Sequence, residues 1–183
     1  LMTVLEKILQ LTNGGGVRVD MSHYTRRVHV TGAWQRAMPR EFWTEAFSRL
    51  KPRYPGGLFV AEAYAGSHGD LQNLGFDLTY DDYLYRCLVD WVAPAEIVRY
   101  LARVPIEYLR RTVHYIENHD DPPARRIYAV MGRDRQMAAA VVLAAASPGA
   151  LLINDGQMHG RSVEKPSATY ITQALEDETH DGE

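Results

Sequence analysis

The amino-acid sequence predicts an α/β fold in which helices cover a parallel sheet. Short apolar runs alternate along the chain with segments of helical periodicity. Continuous apolar runs are typical of strands that are buried on both faces, as strands of parallel sheets are. Five such runs are present, which predicts five strands joined by right-handed crossovers.

The predicted helices and strands follow one another in a regular order. Apolar residues at helical spacing predict a first helix, which the glycines at 14–16 end. Pro39 opens the next helix, and the segment 21–38 before it is predicted to be a long irregular loop. Strands are predicted at residues 17–20, 58–62, 76–80, 115–120 and 150–153. Helices are predicted at residues 2–11, 39–51, 70–74, 81–91, 94–103 and 122–146.

Composition restricts the class of protein. The chain has 183 residues and a net charge of −3, so neither nucleic acid nor an anionic membrane is expected as a partner. No apolar run approaches the roughly 18 residues of a membrane span. The single cysteine, Cys87, excludes an internal disulfide and is expected in the core. One cysteine is compatible with a reducing compartment, which favours the cytoplasm but leaves the compartment open.

Carboxylates end three of the predicted strands. Asp20, Glu62 and Asp120 each stand at the end of an apolar run. Because the carboxyl ends of parallel strands meet at one rim of a sheet, we expect these side chains in one cleft. Two converging carboxyl groups are what retaining glycoside hydrolysis requires. Arg18 lies two residues before Asp20, on the same face of the strand, and is expected to pair with it.

Simpler interpretations exist for each carboxylate taken alone. A single Asp at a strand end is more often a cap or turn residue than a catalyst, and Asp82 and Asp155 are expected to serve in that way. A metal site formed by His23, His119 and Asp120 is a further alternative, because these residue types bind divalent ions. Their spacing fits no compact metal motif, so no metal is predicted.

Aromatic and histidine residues allow two interpretations. Tyr64 follows Glu62 by two residues and is the aromatic residue best placed for the cleft. The other aromatic residues that could stack on sugars or lie in the core are Tyr24, Trp34 and Tyr80. A surface or structural position is expected for His29, His68, His114, His159 and His180.

Three segments resemble the α-amylase family of retaining glycosidases, glycoside hydrolase family 13. Residues 16–23, Gly-Val-Arg-Val-Asp-Met-Ser-His, are similar to the family's segment on barrel strand four. Residues 59–64, Phe-Val-Ala-Glu-Ala-Tyr, are similar to its strand-five segment. Residues 115–120, Tyr-Ile-Glu-Asn-His-Asp, are similar to its strand-seven segment, which ends in Asn-His-Asp. The segments occur in the family's order.

The resemblance implies a partial TIM (β/α)₈ barrel with strands four to eight and their helices. This partial barrel would span residues 1–162, and residues 163–183 would form a short helical remnant and an acidic tail. A complete barrel needs about 250 residues. The family's earlier strands and its C-terminal β-sandwich have no counterpart in this sequence. We therefore expect the chain to be a fragment of a longer enzyme.

The resemblance also implies a role for each matched residue. Asp20 would be the nucleophile, Glu62 the acid/base, and Asp120 the residue that holds sugar hydroxyls in the transition state. Substrate-binding roles would fall to Arg18, His23, Tyr64 and His119. Many amylases have a Lys-His pair three and four residues after the nucleophile, on the leaving-group side, where this chain has His23 and Tyr24.

The expected function is retaining hydrolysis of α-glucosidic bonds in α-glucans or malto-oligosaccharides. No cofactor is expected. Calcium is not predicted for this chain, although the complete parent enzyme could bind it. One alternative is an α-glucan transglycosylase, in which a sugar replaces water as the acceptor. Another is a truncated barrel without catalysis, which binds sugar or self-associates through its open edges.

Overall fold

Strands and helices alternate throughout the described part of the chain, in two compact units. A computed structural model describes residues 1–64, 66–120, 127–132, 134–135, 138–140, 148–154 and 157. The units are Leu1–Tyr80 and Asp81–Glu183. The strand pairs described within each unit run parallel. The predicted parallel α/β class is confirmed, and five strands occur among the described residues, as expected.

Three neighbouring parallel strands form the sheet of the first unit. They are β1 (Gly16–Val19), β2 (Leu58–Ala61) and β3 (Leu78–Tyr80). In their register, Val17 lies opposite Phe59, and Val60 lies opposite Leu78. The helices of this unit are α1 (Met2–Leu11), α2 (Arg27–Gly32), α3 (Phe42–Leu50) and α4 (His68–Leu74), with a 3₁₀ turn at Ser22–Thr25.

An aromatic core holds the helices of the first unit against its sheet. The ring of Phe47, on α3, lies 5.0 Å from that of Phe59 on β2 and 4.9 Å from that of Phe76. Each fully buried ring stabilises the unit by roughly 1.5–3 kcal/mol. Trp43, also on α3, is buried, and its Nε1–H donates to Oγ1 of Thr25 at 2.9 Å. The core thereby fixes the polypeptide that follows β1.

A glycine permits the close approach of β1 to β2. Gly16 has φ +117°, and a Cβ at this position would lie 2.1 Å from the carbonyl oxygen of Leu58. No other residue type can occupy the position without moving one of the strands. The glycine-rich segment that was predicted to end α1 therefore also sets the spacing of the sheet.

The second unit contains two parallel strands and four described helices. Its strands are β4 (Thr112–His114) and β5 (Ala150–Leu151), with Val113 opposite Ala150. The helices are α5 (Asp82–Val89), α6 (Pro94–Arg103), α7 (Ile106–Leu109) and α8 (Ile127–Met131). Cys87 is buried on α5, as predicted. No helix in the described part of either unit has the length and apolarity needed to cross a membrane.

The prediction that residues 21–38 are irregular was wrong for residues 22–32, whereas residues 33–38 belong to no helix or strand. A 3₁₀ turn and α2 occupy the first part of this segment. Backbone hydrogen bonds from the N–H groups of His29 and Val30 to the carbonyl of Arg26 begin α2. The contact between Thr25 and Trp43 joins residues distant in sequence, so local periodicity did not reveal this order.

The strand predicted at 115–120 was also misplaced, because β4 ends at His114. The carbonyl of His114 accepts from the N–H of Leu152, at the end of the short pairing with β5. Residues 115–118 are buried without belonging to a strand. The apolar run therefore reflected burial rather than strand pairing, and Asp120 lies six residues beyond β4.

The cap of α5 is Asp81, not the predicted Asp82. Asp81 has an extended backbone, and its side chain accepts hydrogen bonds from the N–H groups of Tyr83 and Leu84. Asp82 already lies in the helix and forms an ion pair with Arg86. The expectations for residues 163–183 and for Asp155, His159 and His180 lie outside the described residues.

Candidate active site

The parallel pairing of β1 with β2 brings Asp20 and Glu62 to the same rim of the sheet. The last residues of the two strands, Val19 and Ala61, lie opposite each other. Two further backbone bonds extend the pairing, because Glu62 N–H donates to Val19 at 3.0 Å and Ser22 N–H donates to Glu62 at 3.1 Å. The two carboxylates are therefore the first residues beyond neighbouring strands, at the edge where parallel α/β folds place their sites.

One guanidinium group joins the two carboxylates. Nη1 of Arg18 forms an ion pair with Oδ1 of Asp20, and Nη2 lies 2.9 Å from Oε1 of Glu62. The expected pairing of Arg18 with Asp20 is confirmed. The contact with Glu62 was not predicted, because the sequence alone does not indicate how far the guanidinium reaches across the sheet.

Glu62 is buried and fully hydrogen-bonded, whereas Asp20 is open to solvent. Oε2 of Glu62 accepts from the N–H of Met21 at 2.7 Å, and Oε1 accepts from the hydroxyl of Tyr64 at 3.0 Å. These contacts and Arg18 compensate the desolvation of a buried carboxylate. The side chain of Asp20 is 73% exposed. Asp20 can thus be reached directly by a substrate, while Glu62 is held in one orientation.

The guanidinium of Arg18 lies over the ring of Tyr80. That ring is buried and lies 5.6 Å from Cζ of Arg18, at the end of β3. Burial alone would lower the pKa of Arg18, but hydrogen bonds to Tyr80 and Asp20 and the charge of Glu62 raise that pKa above its ordinary value. Arg18 is therefore permanently charged. Of the two interpretations of Tyr80, a buried position beside the site is the one that the structure shows.

A cleft of about 260 Å³ opens beside Tyr64. Its lining includes His23, Arg26, Val28, His29, Tyr64 and Ser67. Arg26 is oriented by an ion pair with Asp70 at 2.8 Å. Burial, followed by the charge of His29, lowers the pKa of His23 below its ordinary value. At neutral pH the uncharged imidazole of His23 is therefore favoured, and in that form it can donate one hydrogen bond to a ligand and accept another.

Sequence reasoning missed two residues of this cleft, Arg26 and His29. His29 was expected at the surface or in a structural role, and Arg26 was not singled out. His29 lies on α2, and Arg26 is the extended residue between the 3₁₀ turn and α2, in the segment where a loop was predicted. Their position shortly after the end of β1 is the signal that could have identified them.

His119 and Asp120 lie together in the second unit. Nε2 of His119 is 3.3 Å from Oδ2 of Asp120, and both side chains are about half exposed. The N–H of Asp120 donates to Oδ1 of the buried Asn118 at 2.8 Å, which fixes the turn. Buried Glu117 accepts from Nδ2 of Asn154 at 3.1 Å. Asp120 is thus exposed and follows a buried polar segment that contains Glu117 and Asn118.

No metal centre is evident in the part of the chain that the structure describes. In that part, no group of three or more His, Cys, Asp or Glu side chains is arranged to hold an ion. The expectation that the chain needs no metal stays a prediction.

Comparison with solved structures identifies similar folds in amylases and related enzymes. The chain is similar to an α-amylase from Lactobacillus plantarum, with 21% identity and a TM-score of 0.60 over 87% of this chain and 39% of that one. It is similar to a debranching enzyme from Nostoc punctiforme, with 20% identity and a TM-score of 0.61 over 87% and 36%. It is also similar to a cyclic α-maltosyl-(1→6)-maltose hydrolase from Arthrobacter globiformis, with 17% identity and a TM-score of 0.63 over 91% and 36%.

These likenesses extend over most of this chain and a minor part of each enzyme. The chain spans less than two fifths of the length of the enzymes it matches. No family model matches the sequence, and no curated protein is found to be similar to it. At 17–21% identity the comparisons establish the fold, and the resemblance to α-amylase enzymes is confirmed at that level. The assignment of its strands to barrel strands four to eight stays a prediction.

Proposed function

We propose that this chain carries the catalytic carboxylates of a retaining glycosidase that cleaves α-glucosidic bonds in α-glucans or malto-oligosaccharides. One observation carries the proposal: Arg18 contacts both Asp20 and Glu62 at the ends of neighbouring parallel strands. Two carboxyl groups joined by one guanidinium are compatible with the roughly 5–5.5 Å separation of retaining sites. The names of the structural neighbours, which include an α-amylase and a cyclic α-maltosyl-(1→6)-maltose hydrolase, support the substrate class.

In the first step, the exposed carboxylate of Asp20 attacks the anomeric carbon of the bound glucosyl unit. The bond between this carbon and the glycosidic oxygen breaks, and Glu62, which enters this step in its protonated form, transfers its proton to the leaving oxygen. A covalent glycosyl ester on Asp20 results. Arg18 orients Asp20 for the attack, since its guanidinium is held by Tyr80 and Glu62.

In the second step, Glu62 acts as a base. It removes a proton from water, the oxygen of that water attacks the anomeric carbon, and the ester bond to Asp20 breaks. Configuration is retained because two inversions have occurred. A sugar hydroxyl in place of water would give transglycosylation, and the two acceptors are distinguished by their products.

The remaining roles are assigned to residues that bind the sugar. We propose that Asp120 and His119 hold hydroxyl groups of the glucosyl unit under attack, and that His23 and Tyr64 contact the sugar on the leaving-group side. The two steps use only carboxyl groups for nucleophilic attack and proton transfer. The reaction therefore needs no cofactor.

The decisive experiment compares Asp20→Asn and Glu62→Gln on two substrates, using the purified 183-residue chain. A nitrophenyl α-maltoside has a leaving group that departs without protonation, whereas maltotetraose needs a general acid. Glu62→Gln should therefore reduce cleavage of maltotetraose about 10²–10⁴-fold. It should slow the first release of nitrophenol from the nitrophenyl maltoside much less, followed by slow turnover, because hydrolysis of the ester on Asp20 still needs Glu62 as a base. Asp20→Asn should abolish both.

The outcome also decides between the alternatives. Unchanged cleavage by either variant, or an inverted first product by NMR, would contradict the proposed mechanism. Transfer products at high maltose concentration would indicate a transglycosylase. A folded chain that binds maltotetraose without cleaving it would favour the sugar-binding alternative, and size-exclusion chromatography of the active sample would show whether turnover requires self-association.

A further inference from the structure

The two oxygens of the buried Glu62 carboxylate have different partners. Oε1 accepts from the hydroxyl of Tyr64 at 3.0 Å and lies 2.9 Å from Nη2 of Arg18. Oε2 accepts from the main-chain N–H of Met21 at 2.7 Å. Within the part of the chain that the structure describes, Oε1 thus has two partners and Oε2 has one. The two oxygens are therefore not equivalent for proton transfer.

The partners of Oε1 disfavour a proton on that oxygen. A carboxylate offers about four lone-pair positions, two on each oxygen. Oε1 already accepts the bond from Tyr64 and lies against the positive charge of Arg18, which repels a proton. Oε2 accepts one bond, from an uncharged amide, and has a second position for a proton. A proton on Oε2 keeps every contact that the structure shows, so Oε2 is the better oxygen for exchange with a ligand.

Tyr64 supplies the directional bond to Oε1. Nη2 of Arg18 is close to this oxygen, but it is not aligned as a hydrogen-bond donor to any residue that the structure describes. The attraction between the two charges depends on their distance and fixes no angle. A hydrogen bond does depend on angle. The bonds from Tyr64 and from the N–H of Met21, one to each oxygen, therefore fix the plane of the carboxyl group.

The bond to Oε2 comes from a strained backbone. Met21 has φ +44° and ψ +43°, the left-handed conformation that residues other than glycine rarely adopt. The next N–H, that of Ser22, donates to the main-chain carbonyl of Glu62 at 3.1 Å. The hydroxyl of the buried Ser22 donates to the carbonyl of Val19 at 2.8 Å. Strained residues held by surrounding bonds cluster at active sites, which is consistent with a turn that aligns a reacting group.

We propose that Tyr64 is the positioning residue of the acid/base: its hydroxyl holds Oε1 of Glu62, so that Oε2 transfers the proton. In the first step Oε2 gives its proton to the leaving oxygen, and in the second it removes a proton from water. The Tyr64 hydroxyl keeps its own proton and its bond to Oε1 in both steps. The acid/base role of Glu62 rests on the proposed function, whereas the orientation of its carboxyl group rests on the geometry.

The kinetic test uses Tyr64→Phe, which removes the hydroxyl and keeps the ring. Without the bond to Oε1 the carboxyl group can turn, so kcat for maltotetraose should fall about tenfold. KM should change little, because the ring that would contact a sugar is retained. The first release of nitrophenol from nitrophenyl α-maltoside should fall much less, since this leaving group departs without protonation. A hydroxyl that bound the sugar instead would raise KM for both substrates.

Tyr54→Phe is the matched control. Tyr54 is also a partly buried tyrosine of the first unit, but it precedes β2, whereas Tyr64 follows that strand. The control variant should leave kcat and KM unchanged for both substrates. Thermal unfolding of each variant confirms that the fold is retained.

A double-mutant cycle measures the bond between Tyr64 and Glu62 without any turnover. Glu62→Met keeps the length of the side chain and removes both oxygens. Tyr64→Phe should raise the unfolding equilibrium constant about tenfold in the wild-type background and much less in the Glu62→Met background, as urea unfolding measures. Glu62→Gln is the second background, in which the coupling should be smaller because the charge of the acceptor is lost.

A wild-type kcat for maltotetraose in Tyr64→Phe, or equal effects of Tyr64→Phe on unfolding in all backgrounds, would overturn the inference. These results are separable from failure of the proposed function. A chain in which the two positions are coupled but which never cleaves α-glucosides refutes only the proposed function. A chain that loses cleavage in Asp20→Asn and is indifferent to Tyr64→Phe refutes only the positioning role.

Discussion

Two polar clusters, one in each unit, share a buried carboxylate and differ in the solvent exposure of that carboxylate's partners. The first, the open cluster, contains Arg18, Asp20 and Glu62. The second, the closed cluster, contains Asp81, Thr112 and His114. Each is built around a carboxylate that is almost completely buried, Glu62 at 2% and Asp81 at 1% exposure. In the first cluster the partner carboxylate is open to solvent. In the second, every member is buried.

The bonds of the second cluster are structural. Oδ2 of Asp81 lies 3.1 Å from Nδ1 of His114, whose Nε2 lies 2.7 Å from Oγ1 of Thr112. The Thr112 hydroxyl donates to the carbonyl of Leu109, and Asp81 caps α5. This cluster fastens helices to β4. The comparison teaches that a buried charge marks a candidate site only where a ligand can reach its partner.

The largest effect should come from the closed cluster. Asp81→Ala removes the cap of α5 and the partner of a buried imidazole, so the free energy of unfolding should fall by about 3–5 kcal/mol. Asp81→Asn keeps the cap and should lose less. Urea unfolding measures both variants. Glu107→Ala, at an exposed pair with Arg110, is the control and should change the free energy by less than about 1 kcal/mol. Equal effects at positions 81 and 107 would mean that the closed cluster has no special structural role.

The open cluster should be less important for stability and more important for activity. Arg18→Met keeps side-chain length but leaves Glu62 buried without its cation, which should lower the free energy of unfolding by about 1–3 kcal/mol. Asp20→Asn, at an exposed position, should change it by less than about 0.5 kcal/mol. Both should abolish α-glucoside cleavage. If Asp20→Asn destabilised the chain as much as Asp81→Ala, the distinction between the two clusters would fail.

Thr112→Val should have an intermediate effect confined to stability. Valine matches the shape of threonine but leaves the carbonyl of Leu109 and Nε2 of His114 without the hydroxyl. The free energy of unfolding should fall by about 1–2 kcal/mol, with binding of malto-oligosaccharides unchanged. Calorimetry of maltoheptaose binding, alongside urea unfolding, checks both parts. A loss of sugar binding in the folded variant would show that the closed cluster also serves the site.

The smallest expected effect is a pH dependence at the edge of the open cluster. Burial, then the charge of His29, lowers the pKa of His23 in the folded chain below its unfolded value of about 6.5. The unfolded chain therefore binds the proton more tightly, and stability is lost as the pH falls below about 6.5. Between pH 7.5 and 5.5 the wild type should lose more stability than His23→Gln, measured by urea unfolding at both values. Parallel losses would show that His23 does not titrate in this range.

Much of the fold could be predicted because it depends on local sequence patterns. The apolar runs located β1, β2 and β3 within two residues at each end, and helical spacing located α1 and α6. The pattern failed before Asp120, where residues 115–118 are buried without strand pairing. It failed again at 21–38, because the order there depends on a contact with α3.

The sequence by itself determined that Asp20 and Glu62 follow consecutive strands and that Arg18 faces Asp20. These relations depend on strand order and on the two-residue repeat of a strand, which are local properties. The tertiary structure alone decided that Arg18 also reaches Glu62 and that Asp20 is exposed while Glu62 is buried. Such contacts join side chains that are distant along the chain, and only packing around a common core brings them together.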